Sequence, residues 1–311
     1  MAAEGGGGGG GGGVSVLLMA YGGPGSLEEG EPYLRDVRGG RATPPELVAE
    51  ITERYARIGG RSPIRERTEA QARALQDALG PTWPVYVGMR HWHPFIAETV
   101  DRMVARGVRR AVAIVLAPHY SALSVGAYAK KLLEAARGRL DLALVRSWGD
   151  HPQFLEAVAE RVRQALQRFP APGAVQVLFT AHSLPERILA AGDPYADELQ
   201  ASAAAVARLA GVGAWRFAYQ SAGATPGPWL GPEAGAVMTE LAATRKDFLI
   251  VPIGFVSDHV EVLYDVDIAY RGLAERLGVR LERTDSLNDN ARLVAALADL
   301  ARRTAAERAW V

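Results

Sequence analysis

Eight short apolar runs alternate with longer amphipathic segments from residue 14 onward, and this rhythm narrows the fold more than any other feature. The runs cover residues 14–20, 85–89, 111–117, 142–145, 175–180, 215–219, 248–252 and 279–282. Continuous apolar stretches of that length read as strands buried on both faces. Helical periodicity marks the segments near 45–57, 66–79, 95–107, 152–168, 195–210, 233–244 and 289–308. Strands alternating with helices of this size predict an α/β fold with parallel sheets and helices on both faces.

The two halves of the chain echo each other. VSVLLMAYGGP (14–24) aligns with VQVLFTAHSLP (175–185), and VLAPHY (115–120) more weakly with LIVPIG (249–254). The duplication predicts two similar doubly wound, Rossmann-like domains, 14–149 and 150–311, facing each other across a cleft. Tyr21 and His182 then project into that cleft from equivalent strand ends, where open α/β sheets bind ligands. Residues 24–62 are extra in the first half and form a lip over the cleft. The last helix, 289–308, is expected to pack back on the first domain. Residues 1–13 are MAAE and nine glycines. A dinucleotide fingerprint needs strand, glycine turn and helix in that order, and this run precedes the first strand. It reads as a disordered flexible leader.

Composition removes several function classes. The 35 basic and 35 acidic residues balance, so nothing draws the chain to nucleic acid or an anionic surface. With no cysteine there is no disulfide, thiolate metal site, iron–sulfur cluster or cysteine nucleophile. No apolar run is long enough to span a bilayer, and no basic region precedes an apolar core at the N-terminus, so a cytoplasmic protein is expected. GxSxG, Walker and HExxH motifs are absent, which sets aside the usual hydrolases, NTPases and zinc proteases.

Four groups of residues carry candidate chemistry. His182 ends the apolar run 175–180. Glu261 and Asp265, with Asp267 beyond, follow the run 248–252; helical from about Asp258, they place two carboxylates at i and i+4 on one face. Such a pair shares protons or holds a hard cation, or else is a solvated helix face. His259 and Glu261 match the HxE of zinc deaminases, but that site needs cysteines. His91 and His93 follow the run 85–89 and could chelate a metal from extended backbone, although no third ligand is near in sequence. His119 is expected to be structural.

MAYGGP (19–24), RYARIGGRSP (54–63), YVGMRHWHPF (86–95), LAPHYSALSVGAY (116–128), TAHSLPERI (180–188), QSAGATPGPWLGP (220–232) and GFVSDHVEVLYD (254–265) together resemble the ferrochelatases, above all the bacterial coproporphyrin III type. The resemblance covers nearly the whole chain from Val14. It implies two Rossmann-like domains around a porphyrin cleft, and insertion of ferrous iron into a porphyrin for haem biosynthesis. On that likeness His182 and Glu261 bind metal and remove the pyrrole protons, and Tyr21 lies axial to the product iron. Arg38, Arg54, Tyr55, Ser62 and Tyr128 match positions that hold the porphyrin carboxylates. Ala269 stands where a third carboxylate often follows Glu261, which leaves an outer metal site in doubt. No permanent cofactor and no iron–sulfur cluster are implied. The partners implied are porphyrin, ferrous iron and a downstream enzyme that accepts haem, with the protein itself a monomer. A neutral imidazole suits the chemistry, since its ordinary pKa of about 6.5 lets it take a pyrrole proton near neutrality. Alternatives are protoporphyrin IX as substrate, cobalt insertion into a corrin precursor, a non-catalytic haem carrier, and a hinge-type binding protein.

Overall fold

The computed structural model describes residues 13–223 and 227–311. The predicted leader, apart from Gly13, lies outside them, as does the centre of the 220–232 motif. The strands are β1 (Val14–Ala20), β2 (Val85–Met89), β3 (Arg110–Val115), β4 (Asp141–Val145), β5 (Gln176–His182), β6 (Trp215–Gln220), β7 (Asp247–Val251) and β8 (Arg280–Arg283). They form two parallel sheets with the same order, β2-β1-β3-β4 and β6-β5-β7-β8. All eight predicted strands are present. The helices are α1 (Gly30–Val37), α2 (Pro45–Arg57), α3 (Ile64–Leu79), α4 (Ile96–Ala105), α5 (Val125–Ala136), α6 (Pro152–Leu166), α7 (Arg187–Ala190), α8 (Tyr195–Ala210), α9 (Ala234–Leu241), α10 (Val260–Leu263), α11 (Arg271–Leu277) and α12 (Ala291–Glu307).

Register tests the duplication residue by residue. Val16 pairs with Val85 and Val112, and Val177, its counterpart, pairs with Trp215 and Leu249. The strong echo therefore aligns true structural equivalents. The weak echo is out of step by three residues: Val112, not Val115, is the counterpart of Leu249. Short apolar strings match at several offsets, and only the ladder hydrogen bonds choose among them.

Alternate residues of the central strands point to different cores. Val16 and Leu18 of β1, Val112 and Ile114 of β3, Val177 and Phe179 of β5, and Leu249 and Val251 of β7 all belong to one apolar cluster. Their neighbours Leu17 and Met19 join a core beneath α4 and α5, while Leu178 and Phe248 join another beneath α9 and α11. The shared cluster is completed by Phe154 and Val162 of α6, Leu199 and Val206 of α8, Leu75 of α3, and Leu293 and Leu297 of α12. The two sheets are thus joined through one common layer. α12 packs against α3 as well as α6, and Arg302 donates to the carbonyl of Ala78.

Four helices fall outside the predicted segments: α1, α5, α7 and α11. α1 is eight residues long and buries only Gly30, Tyr33 and Leu34. α5 opens Val-Gly-Ala-Tyr, and a glycine in the first turn lowers helix propensity. Among the described residues no helix is long and apolar enough to cross a membrane.

Candidate active site

In each sheet the strand order reverses beside the first strand, between β1 and β3 and between β5 and β7. Ligands of open α/β sheets bind at the carboxyl end of such a switch point. Here the two switch points open into one cavity of about 280 Å³. Its walls include Ala20, Tyr21, Leu116, Ala117 and His119 from the first sheet's strand ends, and His182, Leu184 and residues 254–257 from the second's. Gly254 is needed there because a Cβ would lie 2.6 Å from Ala181 Cβ and 3.0 Å from its Cα.

His182 and Glu261 form the polar centre of the second wall. His182 Nδ1 lies 3.0 Å from Glu261 Oε2. A neutral His182 donates Nδ1–H to that carboxylate, which leaves Nε2 as the basic nitrogen. The backbone at both residues is pinned: Tyr195 donates its hydroxyl to the His182 carbonyl at 3.0 Å, and Gln220 donates to the Glu261 carbonyl at 2.7 Å. Burial by itself pushes the His182 pKa down, but Glu261, with Asp265 behind it, outweighs burial and the net shift is upward. Burial likewise acts to raise Glu261, yet the His182 and His259 imidazoles hold it well below the usual carboxylate range. His259 Nε2 is 3.7 Å from Glu261 Oε2, and its Nδ1 donates to the Ser257 carbonyl at 3.0 Å.

The two carboxylates predicted on one helix face have different partners, and only Glu261 lines the cavity. Glu261 faces the cavity from α10, whereas Asp265 begins a π-helical stretch, Asp265–Tyr270. The change of pitch accompanies a different set of partners for Asp265: it accepts from the Ser221 hydroxyl and lies 3.6 Å from Arg54. Burial and the like charge of Glu261 raise its pKa. Asp267 is held by the Arg283 guanidinium, whose Nε and Nη2 donate to its two oxygens at 2.8 Å. Ala269 lies in the same stretch and offers no ligand. Among the described residues, no three His, Asp or Glu side chains converge on a metal position.

The first wall is different in character. Tyr21 keeps 38% exposure, toward the cavity it lines, and burial of the rest pushes its phenol pKa up to about 12 against the pull of Arg90. The His91 ring packs 4.6 Å from the Tyr21 ring. His91 is buried with Nδ1 2.7 Å from Asp36 Oδ2, and burial lowers its pKa to about 4. His93 is instead paired on the surface with Glu98 at 2.8 Å. The proposed two-histidine chelate is thereby ruled out: residues at i and i+2 have taken separate carboxylates. His119 is buried as expected, and its Nε2–H donates to Ser202 Oγ at 2.9 Å while Ser202 donates to the Gly149 carbonyl. Burial pushes its pKa down to about 3.

Of the eight site residues predicted, Tyr21, Tyr55, Ser62, Tyr128, His182 and Glu261 line this cavity. Arg38 and Arg54 do not. Arg38 caps the end of α1. Arg54 is paired with Glu50 at 2.6 Å and lies over the Tyr264 ring, 5.2 Å from its centroid. Sequence reasoning missed Arg90 and Tyr33, both lining residues. Arg90 sits one residue past a buried strand, the same signal that drew attention to Tyr21, whereas Tyr33 lies in the short helix that had no signature.

An imidazole–carboxylate pair on one wall and a phenol on the other face each other across a twinned switch-point cleft, in an α/β fold of the kind chelatases have. Likeness of fold agrees: SirB from Bacillus subtilis, solved with Fe3+, superposes with a TM-score of 0.60 over 95% of this chain and 96% of that one, at 12% identity. Residues 13–305 match the family described as Ferrochelatase. A protein of Herpetosiphon aurantiacus named ferrochelatase is 44% identical, covering 89% of this chain and 94% of its own length. One of Geobacillus kaustophilus named coproporphyrin III ferrochelatase is 39% identical, covering 92% and 94%. The chain belongs to the ferrochelatase family.

Proposed function

We propose that the protein inserts ferrous iron into coproporphyrin III to give Fe-coproporphyrin III. The observation that carries this reading is that His182, Glu261 and Tyr21, from equivalent ends of two duplicated sheets, line a single cavity. Metallation requires two pyrrole protons to leave as a dication enters. His182 Nε2 accepts one, with the imidazolium stabilised by Glu261 through Nδ1–H, releases it to solvent and then accepts the second. The upward shift of His182 strengthens it as an acceptor, while Glu261 stays ionised and is available as an oxygen ligand to iron in transit. Two protein ligands make an incomplete coordination shell, which suits an ion that must move on. Tyr21 supplies an oxygen from the other wall, in the axial position once iron is in the ring. Tyr55, Ser62 and Tyr128 offer hydroxyls to the ring's carboxylates, with Arg38 and Arg54 as cations outside the cavity.

The coproporphyrin assignment is supported by Tyr21 and by relatives of that name, such as the Geobacillus protein. The test is anaerobic visible spectroscopy with ferrous iron and each porphyrin separately. Rapid conversion of coproporphyrin with protoporphyrin slow is the expected result. The reverse preference would move the protein to the protoporphyrin type, and binding without turnover would make it a carrier.

A further inference from the structure

Arg90 follows β2 and carries a charge that the protein leaves uncompensated. It lines the cavity on the Tyr21 wall, its Cζ 5.2 Å from the Tyr128 ring centroid and 5.8 Å from that of Tyr21. Among the described residues no carboxylate reaches ion-pair distance of it. Its Nε is buried without a partner, and its one hydrogen bond is a long one, 3.4 Å to the Leu123 carbonyl. Other ions around the cleft are matched: Glu261 with His182, Asp36 with His91 and Lys131, and Arg54 with Glu50 and Asp265. Next to it in the cavity wall, Ser124 precedes the first turn of α5, and its hydroxyl caps no backbone N–H. A cation held between two aromatic rings, beside the positive end of a twelve-residue helix, is a position made for an anion.

We propose that Arg90, with the Ser124 hydroxyl at the start of α5, takes one carboxylate of the tetrapyrrole and so helps the protein choose a tetracarboxylate ring over a dicarboxylate one. The assignment rests on the porphyrin reading above and extends it to the wall opposite the imidazole–carboxylate pair. Arg38 and Arg54 lie outside the cavity, so Arg90 is the cation placed to meet a carboxylate within it. The rings on either side fix the guanidinium in place before substrate arrives, which lowers the ordering cost of the contact.

The test is an iron-free titration of porphyrin fluorescence with the full-length protein, Arg90→Gln and Arg90→Lys. Each is given coproporphyrin III and its tetramethyl ester in the same detergent buffer. Loss of a charge-assisted contact should weaken binding of the free acid by about tenfold or more in Arg90→Gln. Ester binding should stay at the wild-type level, and Arg90→Lys should recover part of the free-acid affinity. Equal losses for acid and ester would show that Arg90 only packs the aromatic wall, and no loss for either would show it idle; each overturns the proposal. Adding ferrous iron to the wild-type complex separates the two readings. Binding without metallation sinks the chelatase and leaves the Arg90 result standing, whereas a wild-type protein that binds neither ring overturns both.

Discussion

The ends of β1 and β5 are equivalent by register, yet they have been given opposite electrostatics. At the end of β5 an imidazole is surrounded by carboxylates, and its affinity for a proton rises. Around the first sheet's strand ends the imidazoles of His91 and His119 are buried, and theirs falls. A phenol and an unpaired guanidinium complete that wall. The same backbone thus provides a proton-accepting wall and a proton-poor, cationic one. Duplication supplied two crevices, and the neighbours of each strand end, more than the strands themselves, decide what each can do.

Exchanging or removing the groups at these two ends is the direct way to break the comparison. His182→Ala should lower metallation by about 10²- to 10⁴-fold, the usual worth of a positioned general base, while porphyrin binding measured without iron persists. Loss of binding instead would mean the imidazole holds the ring rather than its protons. The lowered imidazoles predict a pH effect. His119 binds its proton less readily folded than unfolded, so its protonation favours the unfolded chain. Stability present above about pH 6.5 should therefore be lost at up to about 1.4 kcal/mol per pH unit as pH falls toward the folded value. Urea unfolding at stepped pH reads this slope, and His119→Gln should flatten it. His91 adds a contribution of the same sign. Gly254→Ala tests how closely the Glu261-bearing segment must approach β5. A Cβ 2.6 Å from Ala181 should cost about 1–3 kcal/mol in thermal or urea unfolding. Wild-type stability in that variant would show that the approach has slack. Smallest in energy is Tyr21→Phe. Turnover should remain measurable, while the visible spectrum of the ferrous product complex shifts as the phenol oxygen is lost from the iron; a product spectrum identical to wild type would remove Tyr21 from the iron.

Much of this was legible in the sequence because buried parallel strands leave uninterrupted apolar runs. Every strand was visible for that reason, and so were the residues just beyond them, Tyr21 and His182. What could not be read depends on distant partners. Nothing local in 258–267 shows that the helix changes pitch at Asp265, since that segment is anchored by Ser221 and Arg54 from elsewhere. His91 and His93 look like a pair until Asp36 and Glu98 divide them. Arg54 has the right residue type for a substrate cation, but Glu50, Asp265 and the Tyr264 ring engage it outside the cavity. The α1 helix was missed because eight residues with three buried positions give too short a period to recognise.

The apolar layer shared by the two sheets has a mechanical consequence. α12 packs on β3 and β4 of the first half and on α6, which packs on β7 of the second, and Phe154 and Leu293 lie in the one layer they form, so neither half owns a complete interior. Walls that grow from one shared core do not hinge apart as two halves, so any widening of the cleft falls to residues 24–62, from which Tyr33, Tyr55 and Ser62 line it. The same continuity binds the halves in heat as in function. Calorimetry should record a single cooperative endotherm, and a chain severed between the sheets should yield two fragments that are insoluble apart and fold only when mixed.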